Sequence, residues 1–443
     1  MRAELQQTEI GEFPAAWSIG RVDSAFDIQQ GKQVSKKNRD GEHQRPFLRT
    51  KNVFWNRLEL TDLDEMHFSE AEQTRLELQA NDLLVCEGGS IGRTALWNNE
   101  VDGCLYQNHL HRLRAKGDKV HPQFGVYWLW YAFDVANLYF GRGNVTTIPN
   151  LSQSKLAELP MALPPLPEQK EIAHILLTVQ RAIEVQERII QITSELKKAL
   201  MHKLFTEGLR NEPQKQTEIG SVPKSWEVVT VQDLVDREIL DKPIDGNHGE
   251  IHPKVSDFVP EGIPFIMASD LKGGLVDLKT CNFLTKERAD RLRKGFSLPG
   301  DVLISHKATI GETAIVPEVE HYIMLTPQVT YYRVINRDAL SNEYLRCYLD
   351  SPIFQKPLKN VAGDGSTRAY IGITKQRALP VLLPQIDEQR QLAKISGCMD
   401  EKIRQAIAKR NALSHLFRTL LHELMTAKTR VHASIFTAQV GHS

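Results

Sequence analysis

The sequence predicts an α+β protein in which one domain-plus-helix unit is used twice. Its 443 residues are 41% hydrophobic and 25% charged, as in ordinary globular proteins. Short motifs recur in the same order about 210–220 residues apart. Each copy closes with a long segment of helical periodicity. These observations together indicate two similar mixed domains and two long helices.

The repeat is an ordered series of matching segments whose offset drifts slowly along the chain. A period this long means that each repeat is a whole domain with its connector, because solenoid units are far shorter. The matching pairs are TEIG at 8–11 with Trp17 and TEIG at 217–220 with Trp226, then DLLV at 82–85 and DVLI at 301–304, then LPPLPEQ at 163–169 and LPQIDEQ at 383–389.

Each copy combines a mixed part with a helical part. Short β-like runs at 82–86 and 301–305 alternate with helical stretches at 69–79 and 285–294. Because Gly, Pro and Asn punctuate these runs, the mixed parts are expected to be α+β domains. The predicted organisation is a first mixed domain at 1–165, a first long helix and linker at 166–210, a second mixed domain at 211–385, a second long helix at 386–427 and a tail at 428–443.

Apolar residues in the two long segments recur in steps of three and four, the pattern of a coiled-coil seam. The first seam is predicted to include Ile190, Leu196 and Leu200, and Gly208 is a predicted helix stop. A helix of roughly 58 Å cannot bury one seam against a compact domain alone. We therefore expect the two seams to bury each other as an antiparallel pair, with the two domains related by a pseudo-twofold axis.

Composition excludes several classes of protein. The five cysteines form no C-x-x-C pair, which argues against zinc knuckles and disulfide frameworks. No apolar run reaches the length of a membrane span and no secretory signal is visible, so a cytoplasmic protein is expected. Lys+Arg and Asp+Glu both number 55, and neither mixed domain is basic overall. DNA binding would therefore depend on local basic clusters.

Two similar, non-identical domains at a fixed separation suit the recognition of two marks on an extended ligand. DNA is the natural candidate, since a twofold-related protein mirrors a bipartite site with fixed spacing. The duplication is covalent and diverged, so the two half-sites can differ.

The segments TEIGEFPAAW, TEIGSVPKSW, LPPLPEQKEIA and LLPQIDEQRQLA resemble those of DNA-specificity subunits of type I restriction-modification enzymes, from Thr8 to about Ala427. The resemblance implies two target recognition domains, each for one half of a bipartite double-stranded DNA target. It implies that the helices set the spacer and dock two methyltransferase subunits, which restriction/translocase subunits join. It also implies a non-catalytic chain without its own cofactor, while the partner subunits use S-adenosylmethionine, ATP and Mg.

Motifs for catalysis were sought because a free-standing nuclease or methyltransferase is an alternative. Gly31-Lys32 does not complete a phosphate-binding loop, and no G-x-G-x-x-G is present. His248 and His252 lie in a Gly/Pro-rich loop, where a spacing of four does not bring two ligands together. No catalytic residue and no metal site is predicted. A coiled-coil scaffold or decoy without a DNA role remains the second alternative.

The richest candidate for DNA contact in the first domain is the segment 29–52. Seven basic residues are opposed only by Asp40 and Glu42, although a solvated surface would look the same. The seven are Lys32, Lys36, Lys37, Arg39, Arg45, Arg49 and Lys51.

Glycine-rich loops are the second group of candidates, because exposed backbone amides and small polar side chains can approach phosphates closely. The alternative is a turn that keeps glycine for a positive φ. Trp17 and Trp226 are expected to be core anchors. The loop candidates are Ser90 and Arg93 with their counterparts Lys307 and Thr309, then Arg142, Asn144 and Thr146 with their counterparts Ser366, Thr367 and Arg368, and, in the second domain, Asn247, His248, His252 and Lys254.

We predict that the isolated chain binds DNA weakly, because neither mixed domain carries a net positive charge. Tight binding is expected only when partner subunits add phosphate contacts. A gel-shift titration with and without the partners measures this. Tight, salt-resistant binding by the chain alone would contradict the prediction.

Overall fold

The computed structural model describes residues 4–139, 151–307, 309–362 and 370–431. They divide into two compact units. Unit 1 comprises residues 1–185 and 410–443, and unit 2 comprises residues 186–409. No helix in the described ranges is long and apolar enough to cross a membrane.

Unit 1 is a mixed α/β unit. A single π-helical turn, Tyr131–Val135, extends its fourth helix. Its strands are β1 (Leu5–Thr8), β2 (Gly11–Pro14), β3 (Ser18–Arg21), β4 (Phe26–Gln30), β5 (Gln44–Leu48), β6 (Val53–Phe54), β7 (Arg57–Leu58), β8 (Asp64–His67), β9 (Leu83–Cys86), β10 (Thr94–Leu96), β11 (Leu105–Tyr106), β12 (Leu110–Ala115) and β13 (Pro160–Leu163). Its helices are α1 (Val22–Ala25), α2 (Lys36–Arg39), α3 (Glu70–Leu76), α4 (Pro122–Trp130), α5 (Gln153–Glu158) and the start of α6 (Leu166–Glu207).

Unit 2 repeats this composition. Its strands are β14 (Gln214–Thr217), β15 (Gly220–Pro223), β16 (Glu227–Thr230), β17 (Ile244–Asp245), β18 (Phe258–Val259), β19 (Ile263–Ile266), β20 (Leu271–Lys272), β21 (Gly274–Val276), β22 (Asn282–Leu284), β23 (Phe296–Ser297), β24 (Val302–Ser305), β25 (Thr313–Ile315), β26 (Ile323–Leu325), β27 (Val329–Tyr332) and β28 (Pro380–Leu383). Its helices are α7 (Val231–Asp236), α8 (Lys286–Asp290), α9 (Asn342–Leu349), α10 (Pro352–Ala362), α11 (Ile373–Arg377) and α12 (Ile386–Met425).

The sheets of the two units have the same strand order. Unit 1 contains β10-β9-β12-β4, and the six-stranded sheet of unit 2 contains the equivalent run β25-β24-β27-β17. The second sheet of unit 1, β11-β5-β8, corresponds to β26-β19-β22. In both units the first pair of this second sheet is parallel and the second pair is antiparallel. The sequence repeat is therefore confirmed as one topology that occurs twice.

The central strands are apolar runs without alternation. All four residues of β9 and of β24 are buried, as expected for strands covered on both faces. Helix α4 packs behind this sheet in unit 1, and α9 packs behind it in unit 2.

The two long helices are present, with 42 residues in α6 and 40 in α12. Gly208 ends α6 at a φ of +71°, in the left-handed conformation that favours glycine, as the sequence predicted. Both helices contribute to both cores. Leu176 of α6 and Leu421 of α12 are buried in unit 1, while Phe205 of α6 and Leu392 of α12 are buried in unit 2.

The predicted first seam is wrong at one position. Leu196 has 55% of its surface exposed, whereas its neighbour Lys197 points inward with a side chain that is only 15% exposed. The apolar pattern alone could not show this, because two acidic partners hold Lys197 inside unit 2.

A Trp–Glu hydrogen bond joins the start of each repeat to the start of its long helix. Trp17 Nε1 donates to Glu168 Oε2 at 3.1 Å, and Trp226 Nε1 donates to Glu388 Oε2 at 3.0 Å. Both indoles are 1% exposed. The prediction that the two tryptophans are core anchors is thereby confirmed.

The glutamine that follows each glutamate bonds three backbone groups. Gln169 Nε2 donates to the carbonyls of Pro164 and Lys119, while its Oε1 accepts from the amide of His121 at 2.8 Å. In the same way, Gln389 Nε2 donates to the carbonyls of Pro384 at 2.8 Å and Ala339 at 2.9 Å, while its Oε1 accepts from the amide of Ser341 at 3.0 Å. Each glutamine thus ties the turn before its helix to the loop before α4 or α9.

Four of the five cysteines are buried and Cys398 is exposed. Burial raises the pKa of the Cys86 and Cys104 thiols to about 12, and that of the Cys281 and Cys347 thiols to about 11. The buried thiols are therefore protonated at neutral pH.

Replacement of Glu388 by Ala is predicted to destabilise unit 2 by about 1–3 kcal/mol, because Trp226 Nε1 and the amide of Leu209 both lose their acceptor. The matched control is Asp387→Ala in the same helical turn. The Asp387 side chain is 86% exposed, so this variant should change the free energy of unfolding by no more than about 0.5 kcal/mol. Denaturant unfolding followed by tryptophan fluorescence measures both. Equal losses in the two variants would refute the assigned role of Glu388.

Candidate nucleic-acid interface

Folding brings acidic residues onto the basic segment 29–52. Strands β5 and β8 pair antiparallel with Phe47 opposite Asp64, so the loop before β8 lies beside the end of β5. Arg49 Nη1 lies 2.6 Å from Asp64 Oδ2, and Lys51 Nζ lies 2.7 Å from Asp62 Oδ2. The hydrogen bond from Arg49 lowers the pKa of Asp64, and the one to Asp62 raises the pKa of Lys51. Asp40 and Glu42 are the only acidic residues within the segment, but folding adds Asp62 and Asp64 from outside it.

Lys32 is also engaged inside unit 1. Its ammonium lies 2.6 Å from Glu72 Oε2, donates to the carbonyl of His67 at 2.8 Å and sits 5.1 Å from the centre of the Phe68 ring. Its side chain is 10% exposed. The charge of Lys32 therefore stabilises the packing of α3 and is not presented at the surface.

Among the described side chains of this segment, four cations are exposed: Lys36 and Arg39 on α2, Arg45 on β5, and Lys51, which pairs with Asp62. Ser35 caps α2, where its Oγ accepts from the amide of Asn38 at 3.3 Å. Arg45 Nε donates to Gln73 Oε1 at 3.0 Å. Lys37 also lies on α2. Helix α2 is thus a short basic turn on the surface of unit 1.

Two equivalent loops follow the central strands β9 and β24. In unit 1 the amide of Gly92 donates to Cys86 O at 3.0 Å, and in unit 2 the amide of Gly311 donates to Ser305 O at 2.9 Å. Gly92 has a φ of +80°, and a Cβ there would lie 2.2 Å from the ring of Phe133. Gly311 has a φ of +93°. Glycine is needed at both positions for backbone reasons.

The loop side chains differ in their surroundings. The guanidinium of Arg93 stacks over the Phe54 ring at 5.2 Å, and Ser90 is half-buried. Lys307 and Thr309 are exposed. Whether any of these four contacts DNA stays a prediction.

In each unit, a buried histidine holds a residue that comes shortly after the second glycine-rich segment in the sequence, which is 141–147 in unit 1 and 363–368 in unit 2. In unit 1 the amide of Leu151 donates to Glu87 O at 2.9 Å, and His111 Nε2 bonds Leu151 O at 2.9 Å. In unit 2 the amide of Ile371 donates to His306 O at 3.1 Å, and Nδ1 of the same histidine bonds Ile371 O at 3.0 Å. Leu151 and Ile371 are therefore each bonded to the residue that directly follows β9 or β24, at the start of the loop.

These histidines were not identified as site residues from the sequence. His111 lies on β12, whereas His306 directly follows β24, so sequence equivalence gives no signal for them. Burial lowers the pKa of both rings. The second ring nitrogen of each has no hydrogen-bond partner among the described residues. Both rings are therefore neutral donors to a backbone carbonyl.

Six predicted DNA contacts lie outside the described residues and stay predictions. They belong to the segments that precede Leu151 and Ile371 in the chain. The six are Arg142, Asn144, Thr146, Ser366, Thr367 and Arg368.

The loop after β17 is organised around two buried side chains. Asn247 Oδ1 accepts from the amides of Arg293 and Lys294, at 2.9 Å and 3.2 Å. Asp245 pairs with Lys294 and, at 2.8 Å, with His248. Burial acts to raise the pKa of Asp245, but these two hydrogen bonds hold it below its usual value. Asn247 is 2% exposed and therefore a structural residue of the loop.

His248 and His252 do not share a ligand position. His248 bonds Asp245, whereas His252 Nδ1 bonds the carbonyl of Asn247 at 3.1 Å. Within the described ranges, no group of three or more His, Cys, Asp or Glu side chains could hold a metal ion. The surface of this loop is formed by Lys254, which is exposed, and by His248, whose side chain is 48% exposed.

The chain is similar in sequence to specificity subunits over almost its whole length. Residues 14–194 match the family described as type I restriction modification DNA specificity domain. The putative type I restriction enzyme MjaX specificity subunit of Methanocaldococcus jannaschii is 25% identical over 438 residues, which cover 96% of this chain and 97% of the relative. The MjaVIII specificity subunit of the same organism is 22% identical over 426 residues, 94% of each chain.

The fold is similar to that of a solved S subunit of a type I restriction-modification system from M. genitalium. The TM-score is 0.58 at 18% identity, with 92% of this chain and 96% of that chain covered. In sequence and in fold, the chain is similar to specificity subunits of type I restriction-modification enzymes.

Stability of unit 2 is predicted to fall as the pH drops below about 6.5, because the unfolded chain then takes up a proton that buried His306 resists. His306→Gln retains an N–H donor but does not titrate. The variant should therefore lose less unfolding free energy between pH 7.5 and 5.5, by up to about 1.4 kcal/mol per pH unit. Denaturant titrations at the two pH values measure this.

The matched control is His202→Gln, because His202 is exposed on α6. This variant should keep the pH dependence of the wild type. An unchanged pH dependence in His306→Gln would rule out His306 as the source.

Proposed function

We propose that each mixed domain of this specificity subunit recognises one half of a bipartite double-stranded DNA target. Specificity subunits are the non-catalytic DNA-recognition components of type I complexes. The observation that carries the proposal is the occurrence of one sheet topology twice in a chain related to such subunits over almost its whole length. Because the two copies have diverged in their loops, the two half-sites are expected to differ.

We assign phosphate contact to the exposed cations, since phosphate contacts fix register and orientation on DNA. In unit 1 these are Lys36 and Arg39 of α2 with Arg45, and in unit 2 they are Lys254 and Lys307. Lys37 is assigned to the same role from its place in the basic segment of the sequence. Lys32, Arg49, Lys51 and Asn247 are set aside because each is already bonded within its unit.

Base recognition is assigned to the loops after β9 and β24 and to the glycine-rich segments 141–147 and 363–368. Leu151 and Ile371, which follow these segments in the sequence, support this assignment because each is bonded to the residue that directly follows β9 or β24. The polar residues assigned to this role are Ser90, Arg93, Arg142, Asn144 and Thr146 in unit 1, and His248, His252, Thr309, Ser366, Thr367 and Arg368 in unit 2.

The long helices are proposed to pair antiparallel, to set the spacer and to dock two methyltransferase subunits. At 1.5 Å per residue α6 is roughly 63 Å long, which suits a spacer element. An apolar stripe on α6 supports docking, because Ile189, Ile192 and Leu196 are 41%, 47% and 55% exposed. Their spacing of three and four residues puts them on one helix face.

The chemistry of the complex is assigned to the partners. Methyltransferase subunits would use S-adenosylmethionine, and restriction/translocase subunits would use ATP and Mg. The scaffold alternative is not favoured, since the relatives are specificity subunits and the scaffold leaves two elaborated domains without a role.

Methylome sequencing of cells with and without this gene tests the proposal. A bipartite methylated motif should disappear when the gene is removed. Sharper still, the double variant Lys36→Ala/Arg39→Ala and the single variant Lys307→Ala should each reduce methylation of that motif, because each removes phosphate contacts from one half-site.

The matched control is Lys224→Ala, an exposed lysine of unit 2 outside the assigned surface. It should leave methylation at the wild-type level. A methylome that is identical with and without the gene would overturn the proposal, as would an equal loss in the control.

A further inference from the structure

The two units place different chemistry at equivalent positions where a long helix packs on the domain. Equivalence follows from matching bonds at an offset of 220: Trp128 Nε1 donates to Pro160 O and Tyr348 OH donates to Pro380 O. The glutamines at 169 and 389 have the same offset. The position pairs with different chemistry are Gln180 and Asp400, Trp130 and Asp350, and Phe417 and Lys197.

In unit 1 these positions form an aromatic cluster, defined as Tyr127, Trp130, Gln180 and Phe417. The Phe417 ring of α12 lies 4.8 Å from that of Trp130 and 6.0 Å from that of Tyr127. The Tyr127 hydroxyl donates to Gln180 Oε1 at 2.9 Å. Phe417 is 4% exposed. The long helix of the second repeat thus packs on the domain of the first repeat through an apolar side chain, that of Phe417.

In unit 2 the same positions form a charged cluster, defined as Lys197, Arg346, Asp350 and Asp400. Lys197 Nζ of α6 lies 2.5 Å from Asp350 Oδ2 and 2.6 Å from Asp400 Oδ1. Arg346 Nη2 lies 2.6 Å from the other oxygen of Asp400. Lys197, Arg346 and Asp400 are all at most 15% exposed in their side chains. The long helix of the first repeat thus packs on the domain of the second repeat through a buried charged side chain, that of Lys197.

We propose that the two clusters form a pairing code that directs each long helix to the domain of the other repeat and opposes pairing of like repeats between two copies of the chain. The proposal concerns assembly of the chain and does not depend on DNA recognition. A duplicated protein needs such a code, because either helix could otherwise dock on either domain.

Pairing of like repeats would mismatch both clusters. Between two first repeats, Lys197 of one copy would replace Phe417 against the rings of Trp130 and Tyr127, where Gln180 offers an amide in place of Asp400. The ammonium would lose both of its acidic partners, which is unfavourable for a desolvated charge.

Between two second repeats, Phe417 would replace Lys197 against the charged cluster. Asp350 and Asp400 would then lose the ammonium that they share, and buried Asp400 would keep only its bond from Arg346. Removal of one partner from a buried ion pair is unfavourable. Both kinds of like-repeat pairing are therefore less favourable than the pairing of unlike repeats. Specificity of this kind depends on a penalty in the wrong complexes as well as on attraction in the right one.

The test uses full-length chains whose clusters have been made alike. The aromatic variant has the residues of the aromatic cluster at the equivalent positions of unit 2. The charged variant has the residues of the charged cluster at the equivalent positions of unit 1. The exchanged variant carries both sets and keeps the clusters different. The first set is Lys197→Phe, Arg346→Val, Cys347→Tyr, Asp350→Trp and Asp400→Gln; the second set is Phe417→Lys, Val126→Arg, Tyr127→Cys, Trp130→Asp and Gln180→Asp.

Each variant is co-expressed as two copies that carry different affinity tags. Sequential purification on both tags, followed by light scattering, measures the fraction of dimers that contain both copies, which we call crossed dimers. The aromatic and charged variants should form at least about tenfold more crossed dimer than the wild type, whereas the exchanged variant should match the wild type. The proposal is overturned if either variant with like clusters folds and crosses no more than the wild type. It is also overturned if the exchanged variant crosses as much as they do.

A complementation pair keeps the proposal testable if the multiple variants do not fold. One copy carries Lys197→Glu and the other carries Asp350→Lys with Asp400→Lys. Each copy alone is mismatched in unit 2, but the glutamate of one fits the lysines of the other. Mixed co-expression should give more crossed dimer than either copy with itself, and equal crossing in all three would overturn the proposal.

Discussion

The amide side chain of one glutamine determines where each long helix begins. Gln169 and Gln389 each bond three backbone groups, which fixes the turn before the helix against the loop before α4 or α9. Because successive helical residues are rotated by about 100°, a start displaced by one residue would turn the whole helix surface away from its core. The burial of Leu176 and Leu392, and the inward position of Lys197, all depend on this fixed start.

The duplication preserved backbone bonds and changed side-chain chemistry. The two sheets keep one strand order, and both units clamp the residue after the second glycine-rich segment at its amide and its carbonyl. Yet the clamp uses His111 of β12 in one unit and His306 after β24 in the other. Backbone geometry is set by many bonds and resists change, whereas one buried donor can be supplied from any neighbouring strand.

Much of the fold was predictable because local patterns determine it. The repeat, both long helices, the strands at 82–86 and 301–305 and the core role of Trp17 follow from periodicity and spacing. The ion pairs did not follow, since the partner of Lys32 lies 40 residues away and becomes its neighbour only through the pairing of strands. The seam position of Lys197 failed for the same reason, because two distant carboxylates override the apolar pattern.

The cysteine distribution has a practical consequence. A thiol reacts as its thiolate, so the buried cysteines with raised pKa values are inert toward maleimides at neutral pH. Cys398 is exposed on α12. The natural chain therefore carries one addressable attachment point for a fluorophore, and energy transfer from that point can test the proposed docking of other subunits on the long helix without an engineered cysteine.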